Sequence, residues 1–353
     1  MNPLIAFLLV FSALGALDKL LGGRFGLAGD FDKGLSAMGP LCLSMAGVYC
    51  AAVTVSEKLE ALERVPALAS LAAGCVLAPD LGGTAVCAAL SSSGPEAVFT
   101  GVLVSSTLGC LVSFVLPISL GALRGEAAKE YLRGAALGVA ALPAGLLAGG
   151  IDCGMNAPLL FSRLVPVAAV CAALLFVLLR FPRAGTAALG AFGALVRWAS
   201  IALFAVMAVQ LFLGTGVFET SAVTESLAIA ARITLVVCGS NVLCGLLLRR
   251  PALLGAAAQR LGVSREAAAG LAVSFATSLS MLPLFDKMDA RGKAVNAAFS
   301  VGGAFCLGGQ LAFVASAAPA SVGAYLVCKL AAGACGALLA AKTTPRANGE
   351  VSA

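Results

Sequence analysis

The sequence predicts an all-α, polytopic membrane protein, and three observations carry that reading. Of its 353 residues 60% are hydrophobic and 11% charged, about half the charged share of a soluble domain, so the chain lacks the polar surface to coat a water-facing globule. Apolar runs such as Leu164 to Leu179, Ile201 to Gly214 and Val322 to Leu339 recur from end to end, each approaching the ~20 residues that cross a hydrocarbon core. The charges, with a formal net value of +6, fall in short clusters between those runs, a pattern of loop anchors and not of a nucleic-acid-binding surface. The lipid bilayer is therefore the solvent, and no nucleic acid is implied.

Hydropathy and turn signals give about nine full spans plus two broken or re-entrant segments. They run Pro3 to Leu17, Gly34 to Ala52, Pro66 to Leu90, Val98 to Leu123, Gly134 to Gly150, Pro158 to Leu179, Gly185 to Gly214, Leu227 to Leu248, Ala267 to Phe285, Ala294 to Ala318 and Val322 to Ala341. The first has no basic n-region and no clear cleavage site, so it reads as a retained span and not as a signal peptide. Basic clusters orient the rest, because Lys and Arg are retained on the cytoplasmic side. Arg124, Lys129 and Arg133, then Arg180 and Arg183, then Arg249 to Arg265, then Lys287 to Lys293, and finally Lys342 and Arg346 mark that side.

Ala267 to Phe285 has basic clusters on both flanks, so a simple crossing would break the rule that orders its neighbours. It is predicted to enter and leave from one face. Its centre, Ala276-Thr277-Ser278-Leu279-Ser280-Met281-Leu282-Pro283, is polar and proline-bearing, and irregular backbone at membrane depth is tolerated only against protein or a wet cavity. The same interruption occurs in Pro66 to Leu90, at Ala78-Pro79-Asp80-Leu81-Gly82-Gly83. An offset of about 198 residues superposes the two breaks, and the charge rule gives the following helices opposite directions, which predicts an inverted repeat. The expected organisation is a first membrane repeat over 1–150, a linking helix over 151–184, a second repeat over 185–342 and a disordered cytoplasmic tail over 343–353.

The twelve cysteines are scattered singly, without a C-x-x-C pair, and histidine is absent. That composition disfavours metal chemistry and gives no nucleophile–histidine pair. No G-x-x-x-x-G-K-[ST] occurs, which disfavours an ATP-driven pump. No cofactor is expected, and an intramembrane hydrolase has only isolated Ser and Asp residues in its favour. A small-solute transporter is the first reading, and a non-transporting membrane scaffold or sensor subunit is the alternative. Neither reading fixes the oligomeric state, and a homo-oligomer is compatible with both.

Asp80 is the most informative acidic residue, since a carboxylate at membrane depth costs at least ~2.5 kcal/mol on insertion scales and needs compensation. It either binds a cationic solute or coupling cation, together with the helix ends left by Gly82 and Gly83, or caps the second half-helix. Thr277, Ser278 and Ser280 offer hydroxyls to a ligand, or else satisfy backbone groups freed by the break. Gln310 is an amide deep in its predicted helix, and Ser106 lies in the matching helix of the first half; a buried amide requires partners, from protein or ligand. Arg163, Arg232 and Lys329 lie near predicted span ends, where snorkelling explains them. Asp286 to Lys293 reads as a solvated anchoring loop, and Gly145 and Gly149 as marks of close helix packing.

Three stretches resemble the EutH-type ethanolamine permease family. Phe31-Asp32-Lys33-Gly34-Leu35-Ser36-Ala37-Met38-Gly39 is similar to the family's F-x-x-G-x-x-A-M-G, and Asp80-Leu81-Gly82-Gly83 to its D-M-G-G. Met288 to Phe299, followed by Ala304-Phe305-Cys306-Leu307-Gly308, resembles M-D-x-R-G-K-x-x-N-x-A-F and A-F-A-L-G. The resemblance implies a multi-pass protein of the cytoplasmic membrane that moves ethanolamine, or a related small amine or amino alcohol, into the cell. It also implies that Asp80 meets the ammonium, with Thr277, Ser278 or Gln310 at the hydroxyl. The chain departs from the family at Thr277-Ser278, where asparagines are expected, and at Gly308-Gly309-Gln310, in place of G-D-H.

Overall fold

A computed structural model describes residues 2–59, 66, 68–77 and 81–345 of the chain. Among these residues the elements are helical throughout, and eight helices are long and apolar enough to cross a membrane. Helix α1 (Pro3–Leu20) begins where the Asn2 side chain accepts the Leu4 N–H at 2.9 Å, with proline in its first turn, the usual solution for orphan amides at a helix start. Helix α2 (Ala28–Leu59) widens into a π-helical turn at Cys42–Ala46. The short helices α3 (Ala69–Val76) and α4 (Thr84–Ala89) follow.

Helix α5 (Gly94–Ala122) is capped by Ser93 and is π-helical over Phe99–Gly109. Helices α6 (Gly125–Asp152), α7 (Ala157–Arg180), α8 (Pro182–Leu213) and α9 (Thr220–Leu248) are long rods. Gly214 ends α8 at φ +71°, a left-handed position that favours glycine. The amphipathic helix α10 (Pro251–Leu261) occupies what the sequence suggests is a plain loop. Next come α11 (Arg265–Ser274), a 3-10 segment Ser278–Lys287, α12 (Ala290–Gly302), α13 (Gly309–Ala317) and α14 (Val322–Thr343).

The predicted span Ala294 to Ala318 is thus two helices, α12 and α13, separated by an unwound stretch over 303–308. Glycines at both ends of that stretch and Phe305 at φ +63° accommodate the break. Gln310 consequently sits in the first turn of α13 and not deep inside a helix. Helix α5, which the predicted repeat would match to Ala294 to Ala318, stays continuous.

Helices α6, α12 and α14 pack against one another as the centre of the bundle. Small residues permit this: a Cβ on Gly145 would lie 2.7 Å from the Ala332 nitrogen, and one on Gly149 2.6 Å from Cys328 Cβ. Both glycines therefore mark close packing, as the sequence suggests. Helices α7 and α8 turn apolar faces outward, with Phe161, Leu195, Trp198 and Phe212 exposed, a surface suited to hydrocarbon and not to water.

Both interrupted segments are hairpins. In the second, Asp289 Oδ1, just beyond the 3-10 segment, accepts the Ser264 N–H at 2.7 Å, just before α11. The chain therefore leaves at the end where it entered. Ser264 Oγ in turn accepts the Ala267 N–H at 3.2 Å, capping α11. In the first, Ser70 at the start of α3 donates to the Cys87 carbonyl at 3.0 Å, near the end of α4, and lies 2.6 Å from Thr100 Oγ1 on α5.

The Asp286 to Lys293 stretch proves to be a clasp and not merely a solvated loop. Arg291 donates to the Thr344 carbonyl at 2.9 Å and the Leu261 carbonyl at 3.2 Å, and Lys293 pairs with Glu130 of α6 at 2.8 Å. Asn296 Nδ2 donates to the carbonyls of Ala267 and Gly292. The charges thus close the second hairpin onto its neighbours.

Candidate functional site

The tip of the second hairpin meets the unwound stretch between α12 and α13. Phe305 N–H donates to the Ser274 carbonyl at 3.1 Å and Leu307 N–H to the Phe275 carbonyl at 2.8 Å. Gly308 lies so close to the Ala276 carbonyl that a Cβ could not fit. Two breaks in helix geometry thus satisfy one another's backbone groups, which an interior without water demands. Other carbonyls freed at the break are also engaged: Tyr325 of α14 donates to Phe305 O at 2.8 Å, and Ser240 of α9 donates to Leu307 O.

Beside this junction lies Lys329, at 1% relative exposure. Its Nζ donates to the Ser106 carbonyl at 2.9 Å and to Gln310 Oε1 at 3.1 Å. Ser106 and Gln310 are buried too. The lysine therefore joins the π-helical part of α5 to the first turn of α13. Among the described residues no carboxylate is within ion-pair distance of Nζ.

The first hairpin reaches the same neighbourhood through Ser105, whose hydroxyl donates to the Gly74 carbonyl of α3 at 3.0 Å. Ser105 faces the first hairpin while the next carbonyl along the chain accepts Lys329. On the other side, Gln310 follows the unwound stretch that contacts the second hairpin. The polar centre formed by Ser106, Gln310 and Lys329 is flanked by both hairpins.

The remaining residues singled out from the sequence divide. Asp80 lies outside the described residues. Gly82 and Gly83 are buried at the first tip, beside Leu81 at φ +66° and full burial; Gly83 N–H donates to the Leu77 carbonyl at 3.1 Å. Thr277 caps the 3-10 segment through the Leu279 N–H at 3.3 Å, the backbone-satisfying role. Ser278 is fully buried, and among the described residues its Oγ has no hydrogen-bond partner. Ser280 is exposed, away from the buried centre.

Two snorkelling assignments are overturned. Lys329 is interior, and Arg163 Nε donates to Glu96 Oε1 at 2.5 Å, with side-chain exposures of 11% and 2%. Arg232 is exposed. Position alone carried a signal for Lys329: it is seven residues beyond Val322 at the start of α14, about 10 Å along the axis at 1.5 Å per residue. That is farther than a lysine stem readily reaches back.

The three resembling stretches acquire structural roles. Gly34 packs on the backbone of Cys238 in α9, where a Cβ would lie 2.7 Å from the amide nitrogen. Asp289, Arg291, Lys293 and Asn296 close the second hairpin. Leu307 and Gly308 make the junction at the polar centre.

Comparison with known proteins gives a consistent result. The sequence profile of the family described as "Ethanolamine utilisation protein, EutH" matches residues 1–343. The chain is 32% identical over 343 residues to the probable ethanolamine permease EutH of Listeria monocytogenes serotype 1/2a (strain 10403S), covering 94% of this chain and 91% of that one. It is 30% identical over 361 residues to the uncharacterized protein YxeR of Bacillus subtilis (strain 168), covering 98% and 95%. It is 26% identical over 381 residues to the probable ethanolamine permease EutH of Salmonella typhimurium (strain LT2), covering 94% and 93%. No solved structure matches. With a profile match over nearly its whole length and apolar helices throughout, this multi-pass membrane protein is a permease and not an enzyme, and it belongs to the EutH family of ethanolamine utilisation proteins.

Proposed function

We propose that the chain carries ethanolamine, or a related small amino alcohol or amine, across the cytoplasmic membrane into the cell, and that the solute is held between the two interrupted hairpins near the bilayer midplane. One observation carries this reading: a buried polar centre of Ser106, Gln310 and Lys329 lies beside an unwound helix, flanked by both hairpins. Backbone breaks and side-chain amides inside an apolar bundle are costly, and transporters retain them where solutes bind. Ethanolamine offers an amine that donates and a hydroxyl that donates and accepts. The Ser106 carbonyl and Gln310 Oε1 suit the amine, and the Ser278 hydroxyl, without a partner among the described residues, suits the alcohol. In the same proposal the Asp80 carboxylate is the counter-charge for a single ammonium, and Gly82, Gly83, Thr277, Ser278 and Ser280 belong to the two breaks that the solute lies between.

The inverted repeat, 1–150 against 185–342 about a linker over 151–184, is part of the same proposal, because alternating access needs two units that move against each other. Uptake of labelled ethanolamine into liposomes containing the purified protein tests the reading. Time-dependent uptake above protein-free liposomes is expected. Uptake equal to that control would instead favour a scaffold or sensor subunit.

A further inference from the structure

The polar centre already holds an alkylamine nitrogen of the protein's own. Lys329 Nζ occupies the Ser106 carbonyl and Gln310 Oε1, the two acceptors that a small amine would use. We infer that the Lys329 ammonium and the substrate ammonium are alternative occupants of this acceptor pair, so that each cationic amine bound displaces one proton from Lys329. The inference rests on the transport reading above and adds its coupling.

The geometry supports exclusivity. The pair is buried, and among the described residues no carboxylate lies within 4 Å of Nζ to offset a second cation. Two ammonium groups ~4 Å apart at an effective dielectric of about 20 repel enough to disfavour joint occupancy about a thousandfold. Among the described residues the other titratable groups around Nζ are the thiols of Cys110 on α5, Cys306 in the unwound stretch and Cys328 on α14. One turn away, the Tyr325 phenol is committed to Phe305 O. Gln310 of α13 is neutral, and Asp80 lies outside the described residues.

The step balances simply. With the centre open to the outside, the Lys329 ammonium passes a proton to water, its nitrogen keeps the electron pair, and the incoming ammonium takes both acceptors. After release inside, the amine of Lys329 recovers a proton from cytoplasmic water. One cation enters for each proton that leaves, so no net charge crosses.

Ethanolamine uptake into proteoliposomes under imposed gradients tests this. A 60 mV inside-negative potential multiplies accumulation of a lone monovalent cation about tenfold. The wild type should change less than about twofold with that potential, and should gain about tenfold from an interior one pH unit more acidic. Lys329→Met should reverse the two responses. A tenfold response of the wild type to potential, or an unchanged pair of responses in Lys329→Met, overturns the inference. Should that variant not fold, titration calorimetry of the wild type with ethanolamine in two buffers of different ionisation enthalpy decides: about one proton released per amine supports it, and none refutes it. Absence of wild-type uptake above protein-free liposomes rejects the transport reading itself, a separate failure.

Discussion

Lys329 Nζ lies 3.1 Å from Gln310 Oε1, a fully buried lysine on α14 held by the first turn of a helix that begins where another has unwound. That contact, with the Ser106 carbonyl at 2.9 Å, fixes α5, α13 and α14 to one another. Its consequences for stability and transport are separable by substitution.

Reversing the charge of Lys329 should be far worse than removing it. Lys329→Glu would place a carboxylate against two acceptor oxygens with no donor between them, an uncompensated buried charge costing about 3–5 kcal/mol. Lys329→Met fills the same space without charge and leaves two acceptors without their donor, a smaller cost of about 1–3 kcal/mol. Thermal melting in detergent should recover folded Lys329→Met and little or no folded Lys329→Glu. Equal melting temperatures for the two would show that the site is wet or mobile.

Glu96 and Arg163 make a second buried pair, between the start of α5 and α7. Glu96→Gln leaves the guanidinium without its counter-ion and should cost about 3 kcal/mol or more, whereas Glu96→Leu with Arg163→Leu should recover much of that loss. Melting curves of Glu96→Gln and of the double variant make the comparison. A double variant no more stable than Glu96→Gln would refute the pairing.

Close packing of α6 on α14 makes Gly145 intolerant of bulk. Gly145→Leu would push atoms into Ala332 and the Cys328 carbonyl, and overpacking of this kind costs about 1–3 kcal/mol. Gly190, on the outer helix α8, has nothing near its Cβ position, so Gly190→Leu should change the melting temperature little. Similar shifts for both would contradict the helix contact.

Ser278 is buried, and among the described residues its hydroxyl has no hydrogen-bond partner to lose. Ser278→Ala should keep its stability, while the KM for ethanolamine rises about fivefold to tenfold if that hydroxyl meets the substrate alcohol, the value of one neutral hydrogen bond. An unchanged KM in a stable variant would assign Ser278 to packing alone.

How far the fold was legible follows from what each residue type can signal. Charge on both flanks of Ala267 to Phe285 predicted a hairpin, and the Ser264–Asp289 contact closes one. The unwinding at 303–308 was hidden because its glycines sit among many others, and its backbone partners, Ser274 and Phe275, are about thirty residues away in sequence. Helix α10 was hidden because arginines dominate its flanks. At the site, Ser106 and Gln310 were legible as polar residues inside apolar runs, and the structure brings both to one point. Lys329 reads from sequence as a snorkelling residue because a lysine in an apolar helix ordinarily reaches the headgroups; only its depth along α14 distinguishes it.

The central claim is that the amine binds where Gln310 and Ser106 converge. Its most direct test is ethanolamine uptake by Gln310→Leu, reconstituted at the same amount of folded protein as the wild type. Loss of a buried acceptor for a charged donor, worth about 1.5–3 kcal/mol, predicts a fall in kcat/KM of at least about tenfold. Uptake by Gln310→Leu at the wild-type rate and KM would place the solute elsewhere.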